Sequence, residues 1–365
     1  MGFKCGLVGL PNAGKSTLFT ALSGLAVERA KFPFSTVEPN RAIVPVKDER
    51  LIKVAELVSS EKITPAALNI VDIAGLIEGA SKGEGLGNRF LAHIREMDML
   101  LHVVRGFRSP DVPHVSGEID PVRDIEIVKL ELILADLSFL EKRLEKVQRT
   151  AKGGNKELAE EKELLVRLAG HLDSGKTARA FAASESEKEI IEKLQLLTSK
   201  PVIYVVNIGE EELAAEEVEI VKEVEKLAGA EGAPVISICG FLEGELEEMP
   251  EEEKSFYMEE YGLKEMGLDK LVKLGYDYLG LITFFTIKGK EARAWSVIEG
   301  TTARKGAGKV HGDMERGFIA AEVIPWDELL NAGSLAAAKE KGLLRLEGKE
   351  YILKDGDIAF FRFKV

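Results

Sequence analysis

Apolar residues change rhythm along this chain, and each rhythm predicts a different architecture. Near the start, short unbroken apolar runs alternate with amphipathic stretches. Phe3 to Val8, Arg41 to Val46, Leu68 to Ile73 and Met99 to Val104 read as strands. Helical spacing begins at Thr17 and again at Asp48, where Leu51, Val54, Ala55 and Val58 share one face. Strands alternating with helices predict a mainly parallel sheet with helices on its faces. Lys200 to Asn207 and Pro234 to Gly240 extend that pattern much later in the chain.

Between these strands the rhythm is different. Leu130, Ile133, Leu137, Leu140, Leu144 and Val147 recur at alternating spacings of three and four, the seam of a coiled coil. Lys152-Gly153-Gly154-Asn155 interrupts it, and Leu158, Leu165, Leu168 and Leu172 form a second seam. Two long helices joined by a glycine turn predict an antiparallel hairpin, inserted over 125–197. Glu243 to Glu260 is acidic and predicts a solvated helical surface, followed by an amphipathic helix from Leu268. From Leu281 period two takes over. Ile282–Ile287, Arg293–Val297, Phe318–Val323, Tyr351–Leu353 and Ile358–Phe363 predict a small mixed β domain over 281–365. The first and third parts, 1–124 and 198–280, make one α/β domain around the insertion.

Composition narrows the function class. The 365 residues are 45% hydrophobic and carry a net charge of −13, which argues against a surface coated by nucleic acid or anionic lipid. The charge is uneven: 281–365 is +2 and the remainder −15, so an anionic partner is directed to the C-terminal part. Cys5 and Cys239 lie in separate apolar runs and read as buried thiols in a reducing compartment. No run has membrane-spanning length, and the start lacks a signal-peptide pattern, so a cytoplasmic protein is expected.

The chemistry begins at Gly9-Leu10-Pro11-Asn12-Ala13-Gly14-Lys15-Ser16-Thr17, which reads G-x-x-x-x-G-K-S between a strand and a helix. That is the phosphate-binding P-loop, whose backbone N–H groups and helix N-terminus face an anion. Asn12, Ala13, Gly14 and Thr17 form the cradle, Lys15 reaches the β- and γ-phosphates, and the Ser16 hydroxyl binds Mg²⁺. Downstream, the strand ending Asp72-Ile73-Ala74-Gly75 gives D-x-x-G: Asp72 would hold a Mg²⁺-bound water, and Gly75 would offer its N–H to the γ-phosphate. Thr36, in a proline-rich loop between the first helix and the next strand, is the candidate that closes over Mg²⁺. Leu76 stands where switch proteins of this kind carry a water-orienting glutamine. Leucine cannot hydrogen-bond water, so hydrolysis is slow or draws on another group. His114, in the polar loop 106–121, is the candidate substitute; a solvent-facing histidine of no consequence is the alternative.

The stretches Gly9–Thr17, Phe32-Pro33-Phe34-Ser35-Thr36, Asp72–Leu76 and the glycine-rich Gly79–Asn88 closely resemble the YchF/Obg-like ATPases. The resemblance implies a P-loop NTPase domain, a helical arm, and a C-terminal TGS domain of ubiquitin-like β-grasp fold. It also implies ATP as ligand and the ribosome or its factors as partner. The residues at the base end agree. GTPases carry N-K-x-D, whose aspartate accepts two hydrogen bonds from guanine; this chain has Asn207-Ile208-Gly209-Glu210. Glu210 is one methylene longer, so its carboxylate leaves the place bidentate guanine readout requires, while an asparagine amide matches the N6 donor and N7 acceptor of adenine. Asn207 and the Ile208 backbone are the base contacts the resemblance implies, with Ser237 beside them. RNA contact falls to basic residues of the arm (Lys142, Arg143, Lys146, Arg149, Lys152) or to the C-terminal domain. The expected protein is a monomeric, Mg²⁺-dependent switch that hydrolyses ATP slowly and favours GTP less. A GTP-specific assembly factor and a binding module stabilised by nucleotide without turnover remain open.

Overall fold

The computed structural model describes residues 2–28, 37–38, 40–73, 86–150, 156–213 and 218–364. Its strands are β1 (Lys4–Val8), β2 (Val37–Glu38), β3 (Arg41–Pro45), β4 (Lys62–Thr64), β5 (Ala67–Asp72), β6 (Met99–Arg105), β7 (Val202–Asn207), β8 (Val235–Ile238), β9 (Leu281–Lys288), β10 (Glu291–Ile298), β11 (Phe318–Pro325), β12 (Arg345–Glu347) and β13 (Asp357–Phe363). The helices used below are α1 (Lys15–Glu28), α2 (Glu49–Leu57), α3 (Leu86–Arg95), α4 (Pro121–Thr150), α5 (Lys156–Asp173), α6 (Glu185–Leu194), α7 (Glu210–Leu213), α8 (Glu219–Glu231), α9 (Gly240–Glu248), α10 (Glu251–Glu260), α11 (Gly267–Tyr278) and α12 (Ala303–Val310). Two compact units result: Lys4–Ala21 with Ile70–Gly267, and Met1–Phe3 with Leu22–Asn69 and Leu268–Val365. The chain passes from one to the other inside α1 and β5.

In the first unit β1, β6, β7 and β8 pair in parallel, with Leu7 opposite Leu101, Val104 opposite Val206, and Val206 opposite Ser237. Every residue of β6 and β7 is buried, as expected where helices cover both faces of a parallel sheet. Ile125, Val128 and Leu132 of α4 and Val224 and Ala228 of α8 belong to this core. The same α4 then continues outward. Its Ile133, Leu140 and Val147 meet Leu165, Leu168 and Leu172 of α5, with Leu137, Leu144 and Leu158 partly buried beside them. The two-seam hairpin therefore forms, although Leu130 is exposed. The arm is not a bead on a string, because one helix serves both cores. Buried Asp136 fastens it, accepting from the N–H groups of Leu197 (2.9 Å) and Thr198 (2.8 Å) and from the Thr198 hydroxyl (2.7 Å). Of the acidic stretch 243–260, α10 is mainly solvated as expected, but α9 is not. Glu243 and Glu247 of α9 are buried; Glu243 accepts from Gly267 N–H at 2.6 Å, and Glu247 pairs with Lys254 at 2.6 Å.

In the second unit, β9 and β10 form an antiparallel hairpin, β13 lies parallel to β9, and β11 is antiparallel to both β13 and β12. The order β10-β9-β13-β11-β12 is that of a β-grasp, with Ala303 and Ala307 of α12 on the face beside Phe284, Val297 and Val323. The expected strand at Tyr351–Leu353 does not form; Ile352 makes one bridge to Thr302, and the strand lies earlier, at Arg345–Glu347. The sequence also gave no sign of β4, which adds to β10 in parallel, its Lys62 and Thr64 bonding Glu291 at 2.9 and 2.8 Å. Asp48 caps α2 by accepting from Arg50 N–H at 3.0 Å. The Arg50 guanidinium pairs with Asp48 and Asp355 and lies over the Phe285 ring.

Candidate nucleotide site

The site is built at the C-terminal edge of the parallel strands. The chain leaves β1 through Gly9, whose φ is +148°; a Cβ there would run into the Val103 carbonyl. Asn12 takes a left-handed φ of 64°, and its Nδ2 donates to Pro113 O at 3.1 Å. Gly14, φ +92°, sits where a Cβ would displace the Asn207 amide. These conformations favour glycine or asparagine, which is why the motif can make a tight turn and still enter α1 at Lys15.

Lys15 is only 7% exposed. Its Nζ donates to Gly9 O (3.0 Å) and Leu10 O (2.8 Å). Burial pushes its pKa down to about 8, against the pull of Asp72. Burial likewise pushes the Asp72 carboxyl up, and Lys15 draws it back. Ser16 and Thr17 are exposed on a cavity of about 830 Å³ that Asn12, Gly14 and Lys15 also line. A volume of that order suits a nucleotide. Ala13 is buried and presents its carbonyl to Asn207.

The same cavity is lined by Asn207, Ile208 and Glu210. Asn207 is 5% exposed; its Nδ2 donates to Ala13 O at 3.1 Å, and its Oδ1 accepts from Gly240 N–H at 3.0 Å. Its amide thus ties the P-loop to the start of α9. The Ile208 N–H is spent on Ile238 O at 3.0 Å, which leaves the carbonyl as the backbone group able to meet a base. Glu210 opens α7 and accepts from Tyr261 Oη at 3.3 Å. Ser237, expected beside the base, does not line the cavity: strand alternation in β8 turns it outward to an exposed position, and Cys239 and Phe241 line the wall instead. Burial, with Glu210 adding to it, raises the Cys239 thiol.

His114 lies in the loop 106–120, which supplies Phe107, Arg108, Ser109 and Val112 to the same cavity. Its Nδ1 accepts from Ser116 N–H at 3.1 Å, so Nε2 carries the proton and donates to Asp124 Oδ2 at 2.8 Å. Both ring nitrogens are therefore engaged, and meeting a water at Nδ1 requires Ser116 to give way. Buried Arg105 staples this loop, donating to Phe107 O and to Val112 O. Thr36, Gly75 and Leu76 lie outside the described residues. Sequence reasoning missed Phe107, Arg108, Ser109, Val112, Cys239 and Phe241. The usable signal was positional, since each follows the C-terminal end of a parallel strand, where open α/β sheets bind ligands.

Comparison with known proteins gives this geometry relatives. Residues 4–135 match the MMR_HSR1 family, described as a 50S ribosome-binding GTPase. Residues 281–364 match the YchF-GTPase_C family, described as a protein of unknown function. Over the full length of both chains the sequence is 47% identical to the ribosome-binding ATPase YchF of Bacillus subtilis and 45% identical to that of Escherichia coli O157:H7. The solved structure of the Schizosaccharomyces pombe YchF GTPase superposes with a TM-score of 0.88 at 35% identity, covering 99% of this chain and 98% of that one. A GTP-binding protein from Pyrococcus horikoshii, 20% identical with a TM-score of 0.63, shares the fold. With its P-loop, its Asn207-Ile208-Gly209-Glu210 turn and its β-grasp all present in one chain matched from end to end, the protein belongs to the YchF family.

Proposed function

We propose that the protein is an Mg²⁺-dependent nucleotide switch that hydrolyses ATP slowly to ADP and phosphate and acts at the ribosome. The observation that carries this is the cavity itself, lined by both the P-loop and Asn207-Ile208-Gly209-Glu210. An amide NH₂ has two hydrogens, and Asn207 spends one on Ala13 O; the other is suited to adenine N7. The Ile208 carbonyl is suited to the N6 amino group. Lys15 would trade its loop carbonyls for β- and γ-phosphate oxygens. The exposed Ser16 hydroxyl and, through water, the half-buried Asp72 carboxylate are a fitting set of oxygens for Mg²⁺, together with Thr36. When bound, the ion neutralises charge on the β- and γ-phosphate oxygens.

Leu76 offers no hydrogen bond to the attacking water, which supports slow turnover, and His114, on the loop that also supplies Phe107 and Val112 to the cavity, is the candidate to orient it. Asp124 would keep the imidazole in one tautomer, leaving Nδ1 as its acceptor. Gly75 would meet the γ-phosphate through its N–H. The relatives named as ribosome-binding support a ribosomal partner. Any RNA contact falls more readily to the positive C-terminal segment than to the arm, where Arg143 and Arg149 are paired with Glu161 and Glu145. Equilibrium competition between ATP and GTP, with phosphate release measured with and without ribosomes, tests the reading. The expected result is tighter ATP binding and slow release that ribosomes accelerate. A tenfold preference for GTP would overturn the assignment of the base, and no release under either condition would overturn the enzyme.

A further inference from the structure

The extra methylene of Glu210 takes its carboxylate somewhere definite. Glu210 lines the cavity, and its Oε2 accepts from Tyr261 Oη at 3.3 Å. Tyr261 follows α10 and is not a cavity-lining residue. Its N–H donates to Tyr257 O at 3.0 Å, and its ring packs against the core cluster that also contains Ile208 and Cys239. The phenol therefore stands on a fixed base, while the carboxylate it holds is on an exposed side chain. The hydrogen bond sets the direction of the carboxylate.

Guanine presents two neighbouring donors, N1–H and N2–H₂, and is read best by a carboxylate with both oxygens free and side by side. Adenine presents no such pair. Each carboxylate oxygen can accept more than one hydrogen bond, so the phenol does not use one up; what it fixes is the direction of the carboxylate, which is then not free to turn both oxygens side by side toward guanine. We propose that Tyr261 is a positioning residue for base selection: by fixing the direction of the Glu210 carboxylate it keeps the two oxygens from facing guanine as a pair and so strengthens the preference for ATP. This rests on the ATP reading above. It adds that the preference is set by a contact outside the cavity as well as by the length of Glu210.

The test is equilibrium competition of ATP, GTP and ITP against a fluorescent ATP analogue, using the full-length protein with Mg²⁺. In Tyr261→Phe the ring stays in its packing and only the hydroxyl is lost. GTP should then gain about three- to tenfold relative to ATP. ITP, which lacks the 2-amino donor, should gain less. Tyr261→Leu, which also loses the hydroxyl, serves where Tyr261→Phe folds poorly; Glu210→Asp should favour GTP by length alone, and adding Tyr261→Phe to it should bring no further gain. Adding Glu210→Gln to Tyr261→Phe should cancel the gain. A GTP/ATP ratio within twofold of wild type in the variants that lose the Tyr261 hydroxyl, or equal gains for GTP and ITP, would overturn the inference while leaving ATP preference intact. A wild-type protein that itself prefers GTP would overturn the ATP reading, and this inference with it.

Discussion

Asn207→Ala separates the two tasks that one amide performs. In the structure the amide donates to Ala13 O at 3.1 Å and accepts from Gly240 N–H at 3.0 Å, in a position 5% exposed. Alanine leaves one buried carbonyl and one buried N–H without these partners. Each buried polar group stripped of its bond costs on the order of 1–3 kcal/mol. Water entering from the cavity can relieve Ala13 in part, so the share that falls on the P-loop is about 1–2 kcal/mol, or roughly five- to thirtyfold in Kd. That share is felt by the phosphates, whatever base is attached. Titration calorimetry with ATP, GTP and inorganic tripolyphosphate, each with Mg²⁺, should therefore show all three weakened by a similar factor. Asn207→Asp keeps the acceptor for Gly240 but sets a carboxylate against the Ala13 carbonyl, and should be at least as damaging. Full-strength binding of tripolyphosphate to Asn207→Ala, with a loss confined to ATP, would refute the clasp and make Asn207 a base reader alone.

Lys15, with its pKa pushed down to about 8 by burial, is partly neutral at pH 8 and is recharged when phosphates surround it. ATP binding should then take up about half a proton at pH 8, more at pH 9 and none from this group at pH 6.5; equal uptake at pH 6.5 and pH 9, measured calorimetrically in buffers of different ionisation enthalpy, would refute this. His114→Ala should lower single-turnover hydrolysis at least tenfold while leaving ATP affinity within a few-fold, and an unchanged rate would end its catalytic role. Lys254→Met leaves Glu247, buried in α9 and paired with Lys254 at 2.6 Å, with its charge exposed to low dielectric; the expected destabilisation is about 3 kcal/mol in denaturant melts, and a loss under 0.5 kcal/mol would show the pair to be dispensable.

Much of this fold is legible where physics acts locally. The P-loop is fixed by backbone conformations that Gly9, Asn12 and Gly14 alone tolerate well, and each takes a positive φ. The buried strands β6 and β7 have no polar alternation because both faces are covered, and they read correctly for that reason. The hairpin seams read correctly because, from Ile133 on, the apolar face of α4 packs in one core with that of α5. What failed depends on partners distant in sequence. A three-residue strand such as β4 has no periodicity of its own and exists because β10 offers it an edge. Glu243 and Glu247 look like solvent-facing acids until Gly267 and Lys254 are placed beside them. Ser237 is named by resemblance alone, and a resemblance fixes the place along the chain but not which face of β8 a side chain takes; here it is the exposed one.

The polar groups around the cavity share one property that bears on switching. Lys15 is bonded to Gly9 and Leu10, Asn12 to Pro113, Asn207 to Ala13 and Gly240, Glu210 to Tyr261, and His114 to Asp124 and Ser116. A nucleotide that engages Lys15 must displace bonds within the loop, and the exchange nets far less than the gross strength of the new contacts. Affinity is thereby limited, but coupling is gained, because a ligand shifts a conformational equilibrium only by its differential interaction with the two states. Asn12 and His114 place that coupling on one segment. The loop 106–120 is held to the P-loop at Pro113 and to the first turn of α4 at Asp124, and α4 carries the hairpin arm. Two hydrogen bonds, Asn12 to Pro113 and His114 to Asp124, thus join the P-loop to the helix that carries the arm without passing through the parallel sheet.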